Sequence, residues 1–215
     1  MKDNEKIDEK PEELKKTEPE GKVFFIVGIR RSGTSIIRKL VSMSDEIEGV
    51  LFEPHDLWHA TMMLHFKRLR KPEHKQKIRD FQMKGNGKWI GAKFALNPGI
   101  DALDWVWLSR VYPDAKFIFV IRNEDDCFHS YLDKDKNSVR GAVPQHIYAP
   151  VYHWLIGSLA DFARHKSDRA CIVHYDRMLD DADKEFAKVW KLLDVKPVTG
   201  MQLKIQTPVH TEGNK

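Results

Sequence analysis

Residues 28–35 read Gly-Ile-Arg-Arg-Ser-Gly-Thr-Ser and follow an apolar run, Lys22 to Val27 (KVFFIV). A glycine, four residues, a second glycine and then two hydroxyls opening a helix is the layout of a phosphate-binding loop. Gly28 and Gly33 permit backbone conformations that turn successive N–H groups inward, and the helix N-terminus adds partial positive charge. Arg30 and Arg31 bring fixed charge, while Ser32, Thr34 and Ser35 bring hydroxyls. Thr34 stands where a nucleotide P-loop has the lysine that reaches the β- and γ-phosphates of a triphosphate. The loop can hold an anion without that grip. The competing reading is a glycine-bearing strand-to-helix turn with incidental arginines, and the agreement of glycines, hydroxyls and strand–helix context weighs against it.

A second candidate anion site follows the most apolar strand, Lys116 to Ile121 (KFIFVI). Arg122 stands directly after it and Ser130 lies eight residues further on, inside the next helix. Strand-terminal arginines are common, so this pair carries little alone. A third group of candidates lies at the end of a shorter strand: Glu53 in Leu51-Phe52-Glu53-Pro54, then His55 and His59. A carboxylate at a strand end, or an imidazole whose pKa suits neutral pH, could serve as a general base. Each is equally readable as an ordinary loop residue.

The elements that must position these groups alternate between strand and helix. Strands are expected at 22–27, 49–52, 89–94, 116–121 and 170–174. Helices are expected at 33–43, 57–69, 101–111, 124–132, 148–165 and 182–193, and residues 71–88 read as a polar connection broken by Pro72, Gly85 and Gly87. About five strands interleaved with helices imply a single three-layer α/β domain around a mostly parallel sheet. Ligands of such sheets bind beyond the carboxyl ends of the strands. Trp105, Trp107, His153 and Trp154 read as packing residues, and Lys67 to Lys71 as a solvated face.

Composition bounds the rest. The chain has 215 residues, 41% apolar and 32% charged, enough for one domain with a real core. Residues 1–22 hold six Lys and eight Asp or Glu, so the net +4 of the chain becomes +6 over the remainder. Residues 1–21 are therefore expected to be a disordered charged tail, and 22–215 the folded, modestly basic domain. The opening residues lack the apolar stretch of a secretory signal, no run is long enough to span a membrane, and two cysteines make no disulfide scaffold or CxxC metal site. A cytoplasmic protein with no metal and no nucleic-acid partner is the expectation.

Taken together, the loop and the Arg122/Ser130 pair resemble the sulfotransferases that use 3′-phosphoadenosine 5′-phosphosulfate (PAPS). GIRRSGTS over 28–35 is similar to the family's GxxRSGT loop. AKFIFVIRNEDDCFHS over 115–130 is similar to its strand ending in Arg with Ser eight residues on, and Val173-His174-Tyr175-Asp176 before a helix is similar to a further segment. The resemblance implies that Arg30, Arg31, Ser32, Gly33, Thr34 and Ser35 cradle the phosphosulfate. It also implies that Arg122 and Ser130 bind the 3′-phosphate and that Tyr175 lies near the nucleotide. Lys93, ending the WIGAKF strand, matches the lysine of a Lys-Thr-Pro-like segment, although Phe94-Ala95-Leu96 follow it here. Glu53 stands where several relatives place an acidic catalytic residue. The implied reaction moves a sulfuryl group in line from PAPS to an acceptor hydroxyl or amine, with adenosine 3′,5′-bisphosphate (PAP) as product and a small molecule or glycan as acceptor. Asn123-Glu124-Asp125-Asp126 and Thr207 to Thr211 depart from the family's pattern. Two other readings stay open: a small-molecule kinase or NTPase using ATP and Mg²⁺, and a non-catalytic nucleotide-binding protein of the same fold.

Overall fold

Lys22–Ile29 forms β1, and its side chains divide by parity. Val23, Phe25, Val27 and Ile29 enter one core cluster while Phe24 and Ile26 enter another. A strand buried on both faces has no polar alternation, which is why KVFFIV reads as a continuous apolar run. The computed structural model describes residues 21–65, 72–97, 104–135 and 143–201. Within them, β1 is followed by α1 (Thr34–Val41), β2 (Ile47–Phe52), α2 (His55–His65), α3 (Pro72–Met83), β3 (Trp89–Leu96), α4 (Asp104–Val111) and β4 (Lys116–Ile121). Then come α5 (Glu124–Asp135), α6 (Gln145–His165), β5 (Ala170–His174), α7 (Tyr175–Asp180) and α8 (Ala182–Leu193).

The five strands form one sheet in the order β2-β3-β1-β4-β5, and every pairing is parallel. Helices α2 to α6 cover one face through Leu57, Ile78, Phe81, Trp105, Leu108, Tyr148 and Leu155. Helices α1, α7 and α8 cover the other through Ile37, Leu40, Met178, Phe186, Val189 and Trp190. The protein is thus a three-layer α/β fold whose sheet is wholly, rather than mostly, parallel. Phe25 sits at the middle of the first layer, with ring centroids 5.0 Å from Tyr112, 5.6 Å from Phe117 and 6.1 Å from Phe94.

The stretch expected to be a polar connection, 71–88, is instead largely helix. Pro72 is the first residue of α3, where a missing N–H costs nothing, rather than a breaker. His74, Ile78 and Phe81 are its only buried residues, a stripe too narrow for its polar composition to reveal. Helix α6 begins at Gln145, three residues before the expected Tyr148, with Pro144 just ahead of its first turn. Residues 1–20 of the expected tail, the Lys67–Lys71 run and Thr207–Thr211 lie outside the described residues. Gly21, placed in the tail by composition, is buried: a Cβ there would lie 2.4 Å from the carbonyl oxygen of Gln82.

Removing the Phe25 ring leaves a cavity among four aromatic neighbours, Tyr112, Phe117, Phe94 and, at 6.4 Å, Phe81. Phe25→Ala is expected to lower unfolding stability by about 3–5 kcal/mol, read as a shift of the urea midpoint. A change below about 1 kcal/mol would contradict the packing described.

Candidate functional site

The chain leaves β1 through Arg30–Gly33 and enters α1 at the carboxyl end of the central strand. Ser32 N donates to Ile29 O at 3.1 Å, and Arg30 N donates to Leu96 O at 2.9 Å, tying the turn to β3. Two residues take left-handed backbone, Arg31 at φ 72° and Gly33 at φ 95°. A Cβ on Gly33 would lie 2.2 Å from Cδ2 of Tyr175; one on Gly28 would lie 2.5 Å from Ser32 Oγ and 2.8 Å from Val120 O. Both glycines are therefore required, Gly33 by conformation and contact and Gly28 by contact alone. Ser32 Oγ is fully buried and has no hydrogen-bond partner among the described residues. Thr34 is buried at the first position of α1, and Ser35 beside it is exposed. No side chain caps α1 and its first turn has no acidic residue, so its leading N–H groups can receive an anion.

The second sequence-predicted site joins the first. Arg122 Nη1 donates to Arg31 O at 3.2 Å, Nη2 lies 3.6 Å from Asp126 Oδ2, and Cζ lies 4.9 Å from the Tyr175 ring centroid. Arg122 Nε is buried without a partner among the described residues. Arg31 Nε donates to Ser130 Oγ at 2.9 Å. Arg31, Arg122, Ser130 and Tyr175 thus form one cluster against the glycine turn. Arg31, expected in the cradle of the loop, turns its side chain out toward α5.

Supporting groups that sequence reasoning missed hold this cluster. Tyr152 on α6 donates its hydroxyl to Arg122 O. Asn123 caps α5, its Oδ1 accepting from Asp125 N at 2.9 Å and Asp126 N at 3.3 Å, while its own N donates to Asp176 Oδ2 at 3.1 Å. The Asn123–Asp126 departure from the family's text is therefore a helix start, with acids where the dipole favours them. Glu185 is buried and accepts from His174 N at 2.6 Å and Lys188 Nζ at 2.5 Å, fixing the β5–α7 corner from which Tyr175 projects.

A third group sits at the ends of β2 and β3. Lys93, 2% exposed, pairs through Nζ with Glu53 Oε1 at 2.7 Å and lies 4.0 Å from the Phe52 ring centroid. Glu53 has left-handed backbone at φ 40° and donates its N–H to Lys93 O at 3.0 Å. Arg38 on α1 donates to Val50 O at 3.2 Å and stands 5.5 Å from the same Phe52 ring, which is 57% exposed. Burial holds the Lys93 ammonium below the ordinary lysine value of 10.5; hydrogen bonding and charge from Glu53 pull it back up, and Arg38 and Arg30 push it down. His55 does not join this pair. It opens α2 and lines a hollow of about 430 Å³ with Leu51, Lys77, Asp80 and Phe81, on the α2–α3 face of the sheet, whereas Lys93 extends on the α1 face. His59 lies further along α2, its ring 5.7 Å from that of His74. A cavity of about 540 Å³ between Gly21, Trp89, Pro113 and Lys116 lies at the amino ends of the strands, the wrong end for a sheet of this kind.

A parallel sheet whose central strand ends in a glycine turn, with basic groups gathered at the carboxyl edge, defines an α/β protein of the P-loop-like type. The sequence model described as Sulfotransferase family matches residues 88–199, more than half of the chain, and the chain belongs to that family. Mouse sulfotransferase SULT7A1, solved complexed with PAP, is similar in fold at 13% identity and a TM-score of 0.56, over 86% of this chain and 62% of its own. The sulfotransferase domain from the curacin biosynthetic pathway is similar at 15% identity and a TM-score of 0.59, over 92% and 82%. The sulfotransferase from Alicyclobacillus acidocaldarius is similar at 16% identity and a TM-score of 0.54, over 84% and 83%. At such identities the likeness is one of fold. Comparison with curated proteins gives no match.

The Lys93–Glu53 pair yields a titration. With the folded pKa below the unfolded one, the unfolded chain binds the proton more tightly, so stability rises as pH climbs from the folded value toward 10.5. A ¹³C-detected titration of the Lys93 ε-carbon is expected to give a midpoint below 10.5, lower again in Glu53→Gln, which removes the two influences that raise it. An unchanged or higher midpoint in the variant would contradict this account of the pair.

Proposed function

We propose that the chain is a sulfotransferase that takes PAPS as donor and passes its sulfuryl group to a hydroxyl or amine of a small-molecule or glycan acceptor. The observation that carries the reading is the convergence of the glycine turn with Arg122, Ser130 and Tyr175, which brings two anion-receiving places together at the end of β1. The residues fit such a donor: Ser32 Oγ and Arg122 Nε are buried polar groups that lack partners, a costly arrangement in water and a useful one for an oxyanion.

The N–H groups opening α1, with the Ser32, Thr34 and Ser35 hydroxyls, would hold the phosphosulfate, and Arg122 and Ser130 the 3′-phosphate. PAPS, when bound, would supply an activated sulfuryl group for transfer from its phosphate oxygen to the acceptor oxygen or nitrogen. By analogy with phosphoryl transfer, the protein's part is positioning and charge stabilisation. Glu53, with its side chain 37% exposed, can be reached by an acceptor and would take its proton. Lys93, itself buried and held against Glu53, would face the charge growing on the departing phosphate. Cys127 and Cys171 are free thiols, in keeping with the reducing cytoplasm in which we place the reaction; no described helix is long and apolar enough to cross a membrane. The ATP-dependent reading still lacks a lysine at Thr34, and no feature of the site favours it.

Titration calorimetry with PAP is expected to show binding unaffected by chelator and stronger than that of ATP with Mg²⁺. Stronger binding of ATP with Mg²⁺ would overturn the donor assignment. With PAPS and an accepted alcohol, Glu53→Gln is expected to lower kcat by about 10²–10⁴-fold while PAP affinity stays within about threefold. A variant with wild-type kcat removes Glu53 from the role of base.

A further inference from the structure

Arg38 is a half-buried cation for which the transfer described above has no use. It lies one turn beyond Thr34 on α1, and its side-chain contacts run to the edge strand β2. Nη1 donates to Val50 O at 3.2 Å, Cζ stands 5.5 Å from the Phe52 ring centroid, and Nε is buried with no partner among the described residues. No described carboxylate pairs with it. A cation taken partly out of water without a counter-ion costs stability rather than adding it. What it holds is the last stretch of β2.

That stretch needs holding. β2 pairs on one side alone, with β3, and its register slips between Ile47 and Gly49. A strand with one ladder opens more readily than a strand with two. Glu53 follows Phe52 directly, with left-handed backbone at φ 40°, and its N–H on Lys93 O ties the strand end to β3. Arg38 supplies a second tie, from α1. Phe52 carries it onward, because its ring lies 5.5 Å from Arg38 and 4.0 Å from Lys93 Nζ, one ring shared by two cations. The ring is 57% exposed while Lys93 is 2% exposed, so Phe52 covers the ammonium and Arg38 leans on the cover. The same helix opens on the glycine turn at Gly33 and Thr34. Arg38 thereby fastens the turn to the strand end that presents Glu53.

We propose that Arg38 is a positioning residue: acting through Phe52, it holds the Glu53–Lys93 pair in place relative to the glycine turn. This rests on the reading above, in which Glu53 takes the acceptor's proton. Arg38 itself touches neither donor nor acceptor. A planar guanidinium can bond a carbonyl while lying against a ring, and a lysine in its place keeps the charge without that fit.

The test uses Arg38→Lys, Phe52→Leu and the double variant of the full chain. With PAPS and an accepted alcohol, each single change is expected to lower kcat by about 10- to 100-fold, the scale of a misplaced reacting group. PAP affinity, which also reports folding, is expected to stay within about threefold. Both changes cut one linkage, so the double variant is expected to lose no more than the worse single one. Losses that multiply would overturn action through Phe52. The Lys93 ε-carbon titration adds a readout that needs no turnover. Burial is the main influence holding its midpoint below 10.5, with Arg38 and Arg30 adding to it and Glu53 opposing. Arg38→Lys keeps the charge, so its midpoint is expected to rise toward 10.5 through loss of cover. A wild-type midpoint or a wild-type kcat in Arg38→Lys would overturn the proposal. Wild-type kcat in Glu53→Gln, or no PAP binding by the unaltered chain, would instead overturn the reading on which it rests.

Discussion

The site depends on where β1 ends. It is the middle strand of five, paired along one edge with β3 and along the other with β4, and buried on both faces. At Gly28 it lies level with Ala95 and Val120, and no side chain can be accommodated there beside Ser32 and the Val120 carbonyl. The chain must turn just beyond that level, and the turn must fold Ser32 back over the strand end. A central strand is the least mobile part of a parallel sheet, because displacing it breaks two ladders and two hydrophobic layers at once. The glycine turn inherits that rigidity. Catalysis by positioning needs such a foundation, since misplacement by an ångström is enough to weaken it.

The turn is braced by groups from distant parts of the chain. Arg122 comes from the end of β4, Ser130 from α5, Tyr152 from α6 and Tyr175 from the β5–α7 corner. Tyr175 packs on Gly33 because Glu185, reaching from α8, fixes the backbone at His174. Glu185 is a buried carboxylate, and its position is tolerable because a backbone N–H and the Lys188 ammonium both satisfy it. Helix α8 looks remote from the chemistry, yet through this contact it sets the height of the ring that closes one side of the site. Stability and function share the same hydrogen bonds here.

What the sequence made legible follows from the range of each interaction. Short apolar strands have local signatures, so KFIFVI at Lys116–Ile121 and ACIVH at Ala170–His174 stand where their composition places them. The glycine turn is legible for the same reason: its chemistry is contained in eight consecutive residues. Helix α3 was not legible, because three buried residues among polar neighbours give a weak period and Pro72 reads equally as a breaker or as a first helical residue. The bracing groups were not legible because their partners are far away in sequence. Nothing near Tyr152 announces that its hydroxyl will meet Arg122 O, and nothing near Glu185 announces His174 N. The direction of Arg31 is of this kind too. Its place in the glycine turn is legible, whereas its hydrogen bond to Ser130, far along the chain, is not.

Replacing the P-loop lysine with Thr34 changes how the site must be charged. A lysine inside the loop would bring one mobile cation to the phosphates, wherever they lie along its reach. Here the cations are each tied down: Arg122 by the Arg31 carbonyl, Arg31 by Ser130, and Lys93 by Glu53. Fixed cations lose less entropy on binding than a free lysine does, and they discriminate by geometry because they cannot follow a misplaced anion. The arrangement also separates two groups of charge. Arg31 and Arg122 gather on the β4 side of β1, while Lys93, on the β3 side, is buried and paired with Glu53. Opposite sides of one rigid strand keep the two groups electrostatically apart: the cations that act on Lys93 are Arg38 and Arg30, not Arg31 or Arg122.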